Sequence, residues 1–240
     1  MQRLHNSARL IHMQLPYSVE ELKDATNELL GANGLDECYI RPIAFYGYGQ
    51  LGVHARGNPV ETVLMSWPWG SYLGEEGLTN GIRAKISSWQ RIPPNVVPHV
   101  AKATGVYLNS MLAVTEATNA GYDEAILLTP EGTVADGSGE NIFVVKDVVI
   151  YTPDLASGIL PGITRDCVIT LAQDLGLTVK EDRFSRDELY LAYEAFLTGT
   201  AAEITPVREV DGRISGPGHP VPLTQPLQDV DFGWVHRRET

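Results

Sequence analysis

Pro98-His-Val-Ala-Lys102-Ala-Thr-Gly-Val-Tyr107-Leu-Asn-Ser110 lies between a predicted strand, residues 82–89, and a helical pattern over residues 103–120. Lys102 is one of only five lysines among 240 residues, and its neighbours are small or apolar. A lysine at such a strand-to-helix junction can be desolvated, which frees its amine as a nucleophile. Taken alone, the stretch favours an exposed lysine in the first helical turn, because exposed lysines are common.

The residues before this stretch predict a helix and a strand. Ser18 and Glu21 form a capping box, and Gly31 or Gly34 ends the helix that follows. Residues 1–17 show no obvious first element. Residues 38–45 read as a strand, in which alternation places Tyr39 and Arg41 on one face, together with Ile43 and Phe45. Pro42 indicates an edge position or a bulge.

Aromatic, glycine and proline residues interrupt the periodicity at residues 67–74, directly after a second strand at residues 63–67. We expect a partial small N-terminal α/β domain at residues 1–66, a linker at residues 67–75 and a large domain at residues 76–240.

The second half of the chain predicts short strands around one long helix, which begins at Ile163 and ends at Gly176. The strands are expected at residues 125–129, 141–145, 148–151, 177–179 and 195–198. A proline-rich run, residues 216–226, interrupts the region where a final helix should form. The pattern indicates a mixed α+β chain in two lobes.

Composition and charge exclude several classes of partner. The formal net charge of −12 argues against nucleic acid and anionic membrane surfaces, which attract basic proteins. No apolar run is long enough to span a bilayer, and the N-terminus lacks the apolar stretch of a signal peptide. Cys38 and Cys167 form no CxxC pattern, so we expect buried free thiols and a cytoplasmic protein.

Other motifs carry little weight. Gly47-Tyr-Gly49-Gln-Leu-Gly52 matches G-x-G-x-x-G but leads into Val-His-Ala-Arg-Gly-Asn-Pro, so it predicts a glycine-rich loop and not a dinucleotide site. The six histidines form no pair at metal-ligand spacing, so no metal is expected. Neither a Gly-x-Ser-x-Gly elbow nor a Walker loop occurs.

Several blocks in order carry a family resemblance. They are Ala-Lys102-Ala-Thr-Gly-Val-Tyr107-Leu, Asp136-Gly-Ser-Gly-Glu140-Asn-Ile-Phe, Leu160-Pro-Gly-Ile-Thr164-Arg-Asp and Thr198-Gly-Thr200-Ala-Ala-Glu-Ile-Thr-Pro206. Together they resemble the signature blocks of the fold-type IV enzymes that use pyridoxal 5'-phosphate (PLP). Tyr39-Ile-Arg41-Pro and Pro68-Trp69-Gly-Ser-Tyr72-Leu-Gly resemble the branched-chain amino-acid aminotransferases specifically. The resemblance covers residues 1 to about 215.

This resemblance implies a two-domain α+β fold of the D-amino-acid aminotransferase type. It implies PLP-dependent exchange of the amino group of leucine, isoleucine or valine with 2-oxoglutarate. The partners would be small amino acids and 2-oxo acids, in a homodimer or higher homo-oligomer in which the loop of residues 47–53 reaches the partner subunit.

The resemblance also implies a cofactor site. Lys102 would be the catalytic residue, forming the Schiff base with PLP and carrying the proton between the substrate Cα and the cofactor. Tyr107 would hydrogen-bond the phenolic oxygen of PLP. Asp136 would face the pyridine nitrogen, where the family usually has a glutamate that is one methylene longer.

Phosphate binding has a physical rationale as well. Gly162, Ile163 and Thr164 open a helix, whose free backbone N–H groups and dipole favour a dianion. Thr200 would add a hydroxyl and an amide from a second turn. Arg3 matches the phosphate arginine of the family motif; without that match it is a terminal arginine.

Substrate recognition is implied at several positions. Arg41, beside Tyr39, would bind the side-chain carboxylate of glutamate, and Trp69 with Tyr72 would form an apolar wall. Ala201 and Thr200 would present N–H groups to the α-carboxylate. From the residues alone, Tyr39 and Trp69 could equally be core aromatics.

Three alternatives stay open. A D-amino-acid transaminase or an aminodeoxychorismate lyase would share the fold, but Tyr39-Ile-Arg41 argues against both. The family pattern looks truncated at the N-terminus, where strands of the small domain are missing, and also at the C-terminus. A truncated, non-catalytic PLP-binding remnant is therefore the third alternative.

Overall fold

The computed structural model describes residues 1–54, 57–70, 72–216 and 224–235. Contacts divide the chain into two compact units, one with residues 1–70 and 101–103 and the other with residues 71–100 and 104–240. The first unit contains helices α1 (Gln2–Leu10) and α2 (Val19–Asn33) and strands β1 (Tyr39–Tyr46) and β2 (Val60–Trp67). The two strands pair antiparallel. The predicted division at residues 67–75 stays a prediction, and its Ser71 lies outside the described residues.

The second unit is built on a mixed sheet. Its strands are β3 (Ile82–Gln90), β4 (Glu124–Leu128), β5 (Val134–Gly137), β6 (Asn141–Lys146), β7 (Val149–Thr152), β8 (Thr178–Glu181), β9 (Glu194–Gly199), β10 (Glu203–Val210) and β11 (Arg213–Ile214). Its helices are α3 (Gly74–Asn80), α4 (Tyr107–Asn119), α5 (Ile163–Asp174), α6 (Arg186–Tyr190) and α7 (Thr224–Val235). Over the described residues the strand order is β5-β4-β3-β10-β9-β6-β7-β8, and β11 pairs with β10.

The middle of this sheet is covered on both faces. In β6, Ile142 and Val144 enter one buried cluster, whereas Phe143 and Val145 enter another. Phe143 stacks on Phe196 of β9 with ring centroids 5.0 Å apart. A strand that is buried on both sides reads as a continuous apolar run, as residues 142–145 do. The observed architecture confirms the predicted α+β class.

Local signals near the N-terminus predicted structure well. The capping box of α2 forms in both directions, with the Ser18 side chain accepting from Glu21 N–H and the Glu21 carboxylate accepting from Ser18 N–H. Gly34 ends α2 in the left-handed conformation at φ 62°. Residues 47–53 form a loop after β1, as predicted, and Pro42 lies in a strand that pairs only with β2 among the described residues.

Six elements were not predicted: α1, α3, β5, α6, β10 and β11. Residues 1–17 do contain a helix, α1. It was missed because it has few apolar residues to mark its buried face. Strand β5 was missed because it is only four residues long and directly follows a turn. Strand β10 was missed because Pro206 disfavours a strand. It is tolerated because β10 pairs with β9 as far as Pro206 and with β3 from Val207 onward.

Two further expectations were wrong. A final helix, α7, forms although Pro226 lies within it, because proline is accepted in the first turn of a helix. The preceding run, residues 217–223, lies outside the described residues. Neither cysteine forms a disulfide within the described residues, but Cys167 is exposed on α5 and Cys38 is only half-buried, so neither is a buried thiol. None of the helices in the described ranges is long and apolar enough to cross a membrane.

Candidate active site

The segment that carries Lys102 belongs to the first unit, although its neighbours on both sides belong to the second. The backbone N–H of Lys102 donates to Ser7 Oγ of α1 at 3.0 Å. Ala101 is fully buried, but the Lys102 side chain is exposed, so the desolvated amine considered from the sequence is not observed. The lysine also precedes the first helical turn, which begins at Thr104.

Helix α1 links the Lys102 segment to Arg3. Ser7 lies four residues after Arg3, so both project from one face of α1. Ser7 is buried and Arg3 is half-buried. One face of α1 therefore supplies both the contact to Lys102 and the predicted phosphate arginine.

Three aromatic rings surround a guanidinium in the first unit. Tyr39 pairs with Trp67 across β1 and β2, and the Tyr39 and Trp69 ring centroids are 4.7 Å apart. The Arg41 Cζ lies 5.2, 5.4 and 5.9 Å from the rings of Tyr39, Trp67 and Trp69. Trp69 is 40% exposed and Tyr39 is half-buried, so neither is a core aromatic. Trp67 was missed, although the pairing of the two strands could have indicated it.

Asp136 lies on β5 in the second unit and is held by Arg91. The Arg91 Nε donates to Asp136 Oδ1 at 2.7 Å, and both side chains are almost fully buried. Burial raises the pKa of Asp136 to about 6, although the adjacent Arg91 charge and hydrogen bond lower it. Sequence reasoning missed Arg91, since a single arginine after a strand carries no signal.

Tyr72 and Ala201 are brought together by the backbone, because Tyr72 N–H donates to Ala201 O at 3.2 Å. The pKa of Tyr72 is raised, first by burial and then by the charges of Glu140 and Glu124, with Tyr107 contributing as well. Glu124 is fully buried, and burial raises its pKa. Tyr72 thus lies near two carboxyl groups, of which sequence reasoning did not recognise Glu124.

The N-terminus of α5 carries two of the predicted phosphate ligands. Its cap residue, Gly162, offers no side-chain acceptor, so the backbone N–H groups of Ile163 and Thr164 have no hydrogen-bond acceptor among the described residues. Asn141 Nδ2 donates to Leu160 O at 2.9 Å and holds the turn before the helix. A 12-residue helix with free first-turn amides suits an anion.

Thr200 lies in the turn between β9 and β10. Asn141 pairs with Thr198 of β9, so the turn that contains Thr200 and the start of α5 lie at the same end of these strands. Glu203 closes the turn at a left-handed φ of 52°, which is strained for a residue with a side chain. The structure thus places Thr200 and Ala201 at the same end of β6 and β9 as the N-terminus of α5.

The chain belongs to the class IV aminotransferases, since residues 1–210 match the family described as "Amino-transferase class IV". It is 49% identical to the branched-chain-amino-acid aminotransferase of Pseudomonas aeruginosa, over 97% of this chain and 76% of that protein. The crystal structure of the Escherichia coli branched-chain amino acid aminotransferase matches with a TM-score of 0.95 at 47% identity, covering 97% of this chain and 77% of the other. The branched-chain amino acid aminotransferase of Thermobaculum terrenum, solved in its PLP form, matches with a TM-score of 0.93 at 42% identity, over 99% and 77%.

Proposed function

We propose that this protein is a PLP-dependent aminotransferase that exchanges the amino group of branched-chain L-amino acids with 2-oxoglutarate. The observation that carries the proposal is the 49% identity, over 97% of the chain, to an enzyme of that name. The Thermobaculum terrenum relative, solved in its PLP form, supports the cofactor. The chain spans about three quarters of the length of these relatives.

The described residues fit PLP. The uncapped first turn of α5 suits a phosphate dianion, and Asp136 offers a buried carboxylate with one oxygen, Oδ2, that accepts no hydrogen bond from the described residues. The Lys102 amine likewise makes no hydrogen bond or ion pair with the described residues. The proposed cofactor ligands are Arg3, Lys102, Tyr107, Asp136, Ile163, Thr164 and Thr200.

Bound PLP supplies an aldehyde that accepts an amino group and a ring that withdraws electrons from the substrate Cα. Lys102 Nζ holds the cofactor and then moves the proton at the substrate Cα. Asp136 accepts a hydrogen bond from the ring nitrogen and keeps it protonated, while Tyr107 Oη orients the phenolic oxygen. The first-turn amides of Ile163 and Thr164, with Thr200, bind the phosphate.

The aromatic cluster around Arg41 supports dual substrate recognition. A branched side chain requires apolar surface, whereas the side chain of glutamate requires a cation. Tyr39 and Trp69 offer the first, and the Arg41 guanidinium above them offers the second. Tyr72 extends the apolar wall, and the amides of Thr200 and Ala201 bind the α-carboxylate.

We also propose a homodimer in the cytoplasm. The loop of residues 47–53 supports association, because Tyr48, Leu51 and Val53 are almost completely exposed, at 97, 103 and 107%. Apolar side chains on such a loop are expected to become buried against another surface.

The test compares the protein with its Lys102→Ala variant after addition of PLP. We expect a visible absorbance band and leucine:2-oxoglutarate transamination in the parent. The variant should lose the band and at least about a hundredfold of the activity, because general acid–base catalysis contributes about that much. Lys23→Ala is the matched control, because Lys23 is an exposed lysine whose ion pair with Glu20 lies within α2.

Other outcomes separate the alternatives. A visible band without transamination would indicate the PLP-binding remnant. Turnover of D-alanine or of aminodeoxychorismate in place of leucine would indicate one of the two related activities. An unchanged band in the Lys102→Ala variant would refute the assignment of Lys102.

A further inference from the structure

Arg91 is a buried cation that the proposed chemistry does not yet use. It follows β3 directly and is 5% exposed. Its Nε donates to Asp136 Oδ1, and its Nη2 donates to Gly137 O at 2.6 Å. Its Nη1 reaches Asn109 Oδ1 at 3.4 Å and Ser110 Oγ at 3.3 Å, both on α4. All three nitrogens are therefore satisfied, and the guanidinium is fixed between β5 and α4.

Arg91 faces several titratable groups. Asp136 on β5 is in direct contact, and Glu124 on β4 and His99 in the loop after β3 lie within its electrostatic reach. Glu140, at the start of β6, accepts from Gly139 N–H and comes close to Gly137. Burial raises the pKa of both Asp136 and Glu124, and Arg91 lowers both. Arg91 is the only cation that contacts Asp136 in the described part of the chain.

The geometry leaves one oxygen of Asp136 for a ligand. Both contacts from Arg91 are made to Oδ1, and none of the described residues donates to Oδ2. Because Arg91 is itself anchored on Gly137 and α4, a rotation of Oδ1 away from it would leave the buried Arg91 Nε without its acceptor. The Asp136 carboxylate is thus held in one orientation, with Oδ1 on Arg91.

We propose that Arg91 is the positioning residue of the cofactor site, which orients Asp136 and keeps it anionic so that Oδ2 accepts the hydrogen bond of the ring nitrogen. This inference rests on the proposed function, which assigns Asp136 to that nitrogen. Without Arg91, burial alone would act on the carboxyl group, and a protonated Asp136 could not hold the ring in its protonated form.

The first experiment measures the ionisation of Asp136 in the full chain without PLP. The free energy of unfolding in urea is measured from pH 4 to pH 8 for the parent and for the Asp136→Asn variant. The difference between the two at each pH is the contribution of Asp136. Asp136 binds its proton more tightly in the folded protein, so its contribution to stability falls as the pH rises from about 4 to about 6. When the same pair is compared in the Arg91→Met background, the pH at which this contribution stops decreasing should be at least one unit higher.

The second experiment measures the PLP dissociation constant against pH. The parent should bind PLP more weakly below about pH 6, as Asp136 takes up a proton. Arg91→Met should weaken binding at pH 7.5 at least tenfold. Arg91→Lys should be intermediate, because it keeps the charge but not the fork of donors. Arg83→Met, which breaks an ion pair with Glu209 at the start of β3, should leave both measurements unchanged.

The outcomes test the role of Arg91 separately from the proposed PLP-dependent function. An Asp136 titration that stays in place in Arg91→Met overturns it. If that variant does not fold but Arg91→Met/Asp136→Asn does, the charge of Asp136 requires Arg91 and the proposal stands. If neither folds, Arg91 has a structural role that is independent of Asp136 and the proposal fails. A parent that does not bind PLP refutes the proposed function, while the titration still tests the contact.

Discussion

Gly162 is the residue whose lack of a side chain most directly shapes the proposed phosphate site. Its backbone, at φ −68° and ψ 142°, is open to any residue. A Cβ atom there would overlap Asn141 Oδ1, whose amide group holds Leu160. The absence of a side chain at Gly162 therefore lets Asn141 approach the start of α5. Glycine is required here for space and not for its backbone conformation.

Gly162→Ala should accordingly destabilise the protein by about 1–3 kcal/mol, the usual cost of overpacking. It should also weaken PLP binding, because the turn that presents the free amides must move. Urea unfolding and a PLP titration measure the two effects. Gly139→Ala is the control for stability, since a Cβ atom there meets nothing within 4 Å. Equal stability of the two variants would contradict the steric account.

At this scale, the candidate site residues were chosen because they match the family blocks. Lys102 and Thr164 were chosen from such blocks, and their assignments remain proposals. Arg91 and Asn141 were not chosen, because their roles depend on contacts with residues 45 and 19 positions away in the chain. A spacing of that kind leaves no local pattern.

At the scale of elements, capping signals were the most reliable guide. Ser18 caps the N-terminus of α2 and Ser185 caps that of α6. Both serines form reciprocal capping boxes, with Glu21 and Glu188. The Ser185 box escaped the sequence reading because α6 is only five residues long.

Ser18→Ala should lower the free energy of unfolding by about 1 kcal/mol, the typical cost of losing an N-cap. Transamination at saturating PLP should be unchanged, because α2 carries none of the proposed ligands. Ser18→Asn is the matched control, since asparagine keeps a side-chain oxygen that can accept from the N–H of Glu21. A loss of stability in both variants alike would argue against a specific capping contribution.

At the scale of the whole molecule, the feature to test is association. Tyr48, Leu51 and Val53 lie within one loop and are almost completely exposed. If this loop contacts a partner subunit, Leu51→Asp should bury a charge in the interface and weaken the dimer.

Sedimentation velocity at micromolar protein should therefore show a dimeric parent and a Leu51→Asp variant with an increased monomer fraction. Val148→Asp is the control. Val148 is also an exposed apolar residue, at 72%, but it lies in a turn at φ 64°, a conformation that aspartate accepts readily. A monomeric parent, or equal dissociation of both variants, would contradict the proposed role of the loop.

The sequence by itself determined the α+β class, most strands, the α2 cap and the ordered blocks of the family, because local periodicity and short motifs encode these features. Only the tertiary structure decided the rest. Pro206 is tolerated because β10 changes partners there, and Lys102 is anchored by Ser7 of α1. Asp136 contacts the buried Arg91 guanidinium because β3, β5 and α4 converge there. Such contacts join residues that are distant along the chain, and folding alone brings them together.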